Sequence, residues 1–232
     1  MELLRKQGNE VQAAHTLLHL SSANGILGLY EEGIRQAKEA SEIFGRINIT
    51  SGQALAFNDL ASLLLEHRQL DAAGDAVSRG IQLVPEKGHE NTVSQLHRNL
   101  GRIYRSKGEK EKAVHHFQTA LRIAIPLNAN DLLFLIHSSL VELFRDEDKF
   151  EEANAHIQQA KSFVAHNAYK LSRGMMMQVD IWLRQGRFEE AKLEALHALE
   201  AYEKLGAAKD AEACRDLIQK IEQAMENRTT QS

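Results

Sequence analysis

The sequence predicts an all-α protein that repeats one helix pair along its length. Three observations carry this. Helix-forming Ala, Leu, Glu, Lys, Gln and Arg dominate the 232 residues, which contain only 2 prolines and 6% aromatics, and runs of Val, Ile and Thr are scarce. Small residues recur at one point of successive segments: Gly33, Ala73, Ala113, Ala153 and Ala191 follow one another at intervals of 40, 40, 40 and 38 residues. A second small residue stands seven positions after each, at Ala40, Gly80, Ala120, Ala160 and Ala198.

Taken in order, residues 1–9 read as the end of a preceding helix or a truncated repeat, closed by Gly8–Asn9. The first pair, residues 10–48, has helices over about 10–25 and 30–44, parted at Gly28 and stopped by Gly45. The second, 49–88, has helices over about 51–66 and 70–84 and ends at Pro85. The third, 89–128, has helices over about 90–106 and 109–125, with a loop at Lys107–Gly108 and a stop at Pro126. The fourth, 129–167, has helices over about 131–145 and 150–165. The fifth, 168–206, has helices over about 171–185 and 188–205, stopped by Gly206. A capping helix over 207–226 precedes a polar tail, 227–232, expected to be disordered. One solenoid domain over 10–226 is the expected organisation.

The markers have a packing explanation. Antiparallel helices approach closely only where side chains are small, and residues seven apart share one helix face. Between each marker pair stands Ala37, Val77, Phe117, Ile157 or Ala195. Each second helix therefore carries an apolar stripe that it cannot bury alone and that stacked neighbours bury for one another.

The third pair contains Leu100-Gly101-x-x-Tyr104, then Ala113-x-x-x-Phe117 and Ala120. This resembles the tetratricopeptide repeat, whose signature includes L-G-x-x-Y and A-x-x-x-F. Ala61 and Leu64 continue the pattern in the second pair, and Val141 with Phe144 and Val179 with Trp182 are looser versions. The 40-residue interval departs from the basic ~34 and is similar to the longer-repeat branch of MalT-type and STAND sensor regions. The resemblance implies a right-handed α-α superhelix of five helix pairs with a capping helix, whose first helices line a concave groove.

The composition narrows the function. A net charge of -4 gives no general drive toward nucleic acid or membrane. One cysteine, Cys214, excludes an intrachain disulfide framework and is read as structural. There is no secretory apolar stretch and no window apolar enough to span a bilayer, so the sequons at Asn48 and Asn227 are expected to stay unmodified and the location to be cytoplasmic. Phosphate-cradling glycine loops and the H-E-x-x-H metal motif are absent. His15 and His19 share a helix face but lack further ligands, while His115 and His116 diverge. His97 and His137, one period apart, are expected to pack on apolar faces. No metal or cofactor is expected.

The remaining candidate is the groove face of the first helices. Arg98, Arg102 and Arg105 stand at i, i+4 and i+7, opposite Leu96, Leu100, Ile103 and Tyr104. One period earlier the same face carries Asn58, Ser62 and Leu65; one period later it carries Ser138, Glu142 and Arg145, with Arg173 and Arg184 beyond. Forked guanidinium groups suit an acidic or carboxylate-bearing peptide. The plainer reading is a solvated face with ion pairs, such as Arg102 or Arg145 with Glu142. The carboxylate clamp of chaperone-binding members is not reproduced: Asn99 fits one element, but the basic partners are missing. The expectation is a non-catalytic scaffold that binds a peptide or partner domain, with no nucleic acid and no membrane. A narrower alternative is the sensing region of a larger STAND-type regulator, which an exposed apolar face on the first pair would favour. The rival class is a histidine-based metal protein or enzyme.

Overall fold

A computed structural model describes residues 2–84 and 88–229. Among the described residues there are eleven helices and no strand: α1 (Glu2–Leu27), α2 (Tyr30–Arg46), α3 (Thr50–Glu66), α4 (Leu70–Leu83), α5 (Glu90–Ser106), α6 (Lys110–Ala124), α7 (Asn130–Arg145), α8 (Phe150–Phe163), α9 (Ala168–Arg184), α10 (Phe188–Lys204) and α11 (Ala208–Thr229). The chain divides into two compact units, Met1–Ala129 and Asn130–Ser232. The division falls after the third pair, inside the stretch that the sequence treats as one domain.

In the first unit each helix packs on the next, and the first helices α1, α3 and α5 also meet in succession. In the second, α7 to α11 do the same, and α7 meets α9. This alternation is what small-residue stripes produce. Ala37, Ala40, Ala73, Val77, Ala113, Phe117 and Ala120 are buried in the first unit; Ala153, Ile157, Ala160, Ala191, Ala195 and Ala198 are buried in the second. The close approach is visible in two cross-helix bonds. Ser21 Oγ donates to the Gly33 carbonyl at 2.9 Å, and Ser94 Oγ to the Ala120 carbonyl at 2.8 Å. A Cβ on Gly101 would stand 2.5 Å from the Phe117 ring, so the glycine of L-G-x-x-Y seats the phenylalanine of A-x-x-x-F.

The turns repeat more strictly than the helices. Residues with positive φ fall at Gly28, Asn48, Arg68, Gly88, Gly108, Asn128 and Asp148, every 20 residues, and again at Gly186 and Gly206. At Gly108 the backbone forms a Schellman cap: Gly108 N–H donates to the Arg105 carbonyl at 3.0 Å and Glu109 N–H to the Tyr104 carbonyl at 2.9 Å. The same pair of bonds closes the turns at Gly28, Asn48, Arg68, Asp148, Gly186 and Gly206. Asn and Asp tolerate the left-handed region better than other side chains, so Arg68 at φ 60° is the strained member.

Three boundaries differ from expectation. α1 runs unbroken through Gly8–Asn9, because one glycine costs a helix only about 1 kcal/mol and does not end it. α2 passes Gly45 and turns instead at Asn48. α11 continues to Thr229, three residues into the expected tail. Pro85 and residues 230–232 lie outside the described residues.

Candidate functional site

In the first unit the α3 and α5 faces meet through amides. Asn99, 1% exposed, donates Nδ2 to Asn58 Oδ1 at 2.9 Å and to Ser62 Oγ at 3.1 Å. Asn58, 3% exposed, donates its own Nδ2 to Gln95 Oε1 at 2.8 Å. Asn58 was expected on the groove wall. It lies between the helices instead, because positions one period apart oppose each other where neighbouring first helices touch. Beside it, Asp59 is pushed up to about 6 by burial, against the hydrogen bond from Asn58 and the nearby His19.

The arginine stripe is present on α5, with all three residues half-buried. Arg102 pairs with Glu66 at the end of α3. Lys107 reaches Asp71 at 3.1 Å. Leu96 and Ile103 are buried on the other side, as the spacing predicts.

In the second unit α7, α9, α10 and α11 enclose a cleft of about 400 Å³ lined by Glu142, Arg145, Arg173, Met176, Met177, Asp180, Tyr202, Asp210 and Cys214, with Val141 and Ala213. Three of the expected groove residues, Glu142, Arg145 and Arg173, thus converge on one cavity. Arg145 is held by Asp180 at 3.0 Å and Asp146 at 2.9 Å. Arg184 lies 3.7 Å from the other Asp180 oxygen. Arg173 is exposed, lies over the Phe134 ring at 6.0 Å, and makes no ion pair among the described residues. One turn before it on the same helix, Tyr169 donates to Asp210 at 3.3 Å and stands edge-on to Tyr202. Cys214 is buried against Met176, with Sγ and Sδ 3.4 Å apart; burial, then the Asp210 charge, raises its thiol pKa. That is the packed thiol expected of a structural cysteine.

Sequence reasoning missed the cleft's far wall. Asp180 and Met176 could have been found, since they stand seven and three residues after Arg173 on the same helix. Tyr202, Asp210 and Cys214 could not, because they arrive from a second helix and the terminal helix, outside the first-helix register.

Two histidine pairs were also missed. His97 and His116 bring their Nδ1 atoms to 3.1 Å, and His137 and His156 theirs to 3.0 Å. One ring donates and the other accepts, which requires at least the accepting imidazole to be neutral. Burial and the facing imidazole hold His116 and His137 down to about 4. His97 and His156 are lowered too, chiefly by burial. The signal was available, since 116 and 156 repeat the interval of 97 and 137. His15 packs edge-on against Phe44 rather than pairing with His19. Among the described residues no group of three or more His, Cys, Asp or Glu side chains could hold a metal ion, and no helix is long and apolar enough to cross a membrane.

Comparison with known proteins places these observations. A tetratricopeptide repeat family model matches residues 94–125, inside the third pair. No curated protein matches the chain. Among solved structures, a Rap protein complexed with competence and sporulation factor is similar with a TM-score of 0.65 and 14% identity over 94% of this chain; the chain spans 66% of that protein. A thermophilic TPR protein of Thermus thermophilus gives 0.61 and 19%, covering 87% of this chain and 98% of its own. BtubC of P. vanneervenii gives 0.58 and 16%, covering 92% of each. At these identities the likeness is one of fold: the chain has a TPR-like all-α solenoid fold.

Proposed function

We propose that the chain is a non-catalytic protein-interaction scaffold that holds a peptide or partner segment against its first helices. The observation that carries this reading is the cleft of the second unit. It combines an exposed guanidinium without an ion-pair partner among the described residues, Arg173, with thioether and aromatic walls from Met176, Met177 and Tyr202. Such a mixture, with Glu142, Asp180 and Asp210 also on its walls, suits a peptide segment that presents both polar and apolar groups. In the first unit, Arg98, Arg102 and Arg105 form a separate basic stripe on α5. The Rap neighbour, solved with competence and sporulation factor, supports partner capture by this kind of fold.

The test compares partner recovery by native protein, Arg173→Glu and the triple variant Arg98→Ala, Arg102→Ala, Arg105→Ala, with bound proteins identified by mass spectrometry. The reading expects a defined partner that Arg173→Glu loses and the triple variant weakens. An unchanged set with both variants would sink it.

A second reading, the sensing array of a larger STAND-type regulator, has one specific support. The first pair exposes Leu20, Ile26, Leu27 and Leu29. It expects a longer chain with a preceding helix seated on α1 to melt higher than this one; equal melting would remove it.

A further inference from the structure

The outer face of α1 is the clearest unpartnered surface. Ala13, Thr16, Leu20, Ala23 and Leu27 are all exposed, and at 100° per residue they fall within about 80° of one another. Later pairs show what this face is for. The positions of Thr16, Leu20 and Ala23 correspond, one and two periods on, to Ala56, Leu60 and Leu63 on α3 and to Leu96, Leu100 and Ile103 on α5. All three on α3 are buried, as are Leu96 and Ile103. There the preceding second helix covers them: Leu63 closes on Gly33 of α2, and Leu96 on Gly80 of α4. In α1 the equivalent Leu20 is 47% exposed and Leu27 is 66% exposed.

We propose that a second copy of this chain covers the α1 face, by antiparallel packing of α1 on its counterpart about a two-fold axis at Leu20. Two features select this occupant. Residues 11–29 contain no Asp, Glu, Lys or Arg, so two such faces meet without like-charge repulsion. The other end offers no match for head-to-tail stacking, because the exposed side of α11 carries Glu212, Arg215, Asp216 and Lys220. A two-fold pairing centred on Leu20 sets Ala13 of one copy opposite Leu27 of the other, large against small, as close helix packing requires. Thr16 turns its hydroxyl back to the Gln12 carbonyl at 2.9 Å, which frees its methyl for the contact. This inference does not rest on the cleft.

Analytical ultracentrifugation of the full chain over a concentration series tests it. Native protein should associate to a dimer, and Leu20→Lys with Leu27→Lys should raise the dissociation constant about 100-fold or more while its far-ultraviolet circular dichroism stays that of the native helical fold. Leu20→Cys should form an intermolecular disulfide on mild oxidation, and Leu193→Cys, exposed elsewhere, should not. A native chain that stays monomeric would overturn the proposal and leave the face to a preceding helix or an unrelated partner. A dimer indifferent to the double lysine variant would overturn it as well.

Discussion

The first helices of the two units carry the same register and use it in opposite ways. In the first unit the Asn58–Ser62–Asn99 bonds close the interval between α3 and α5. In the second, α7 and α9 are linked through the long Arg145–Asp180 ion pair, and α10 and α11 complete a cleft beside it. The repeat fixes where side chains meet. Their length and charge decide whether the meeting is sealed or open. A short buried amide bridges directly, whereas a long guanidinium paired at its tip leaves space beneath.

That contrast can be broken unequally from its two sides. Asn99→Ala leaves the buried Asn58 short of a partner and should lower stability by about 2–3 kcal/mol in chemical unfolding. Asp180→Ala, at a partly exposed ion pair, should lower it by under about 1 kcal/mol in the same assay. Equal losses would remove the distinction.

Acid separates the units next. His137 is buried and its folded pKa lies near 4, below the ordinary 6.5. The unfolded chain therefore binds more protons between those values. Stability is full above about 6.5 and falls as pH drops toward 4, by on the order of 2 kcal/mol for this pair. In the first unit Asp59 acts in the opposite sense. Its carboxyl is raised to about 6 from 3.8, so acidification across that window stabilises the fold and offsets part of the loss from His97 and His116. His156→Leu should flatten the pH dependence of the melting temperature. Asp59→Asn should steepen it.

The turns give the smallest effects. Gly108→Ala puts a Cβ into a left-handed residue and should cost about 1 kcal/mol, while Arg68→Gly should gain about 0.5–1 kcal/mol by relieving the same strain. Thermal melts of the two variants should move in opposite directions.

The fold was largely legible because its cause is periodic. Gly33, Gly80, Ala113 and their counterparts are small for one steric reason that recurs with every pair, and the eye needs only the interval. The second unit's cleft was half legible. Glu142, Arg145 and Arg173 follow from first-helix register, but Tyr202, Asp210 and Cys214 come from elements with another register. The histidine pairs were hidden differently. His116 sits beside His115, and adjacency in sequence drew attention from its true partner, His97, across the helix pair. Asn58 was misplaced because register gives the angle of a side chain around its helix and not the distance to the next helix.

The proposed role stands or falls on whether the open face, rather than the outer face, meets the partner. A photo-crosslinking amino acid at position 173, in the cleft, and another at position 159, exposed on α8, address this directly in the 232-residue chain. Position 173 should crosslink to a peptide segment of the recovered partner and position 159 should not. Crosslinks from 159 alone would contradict the proposed role.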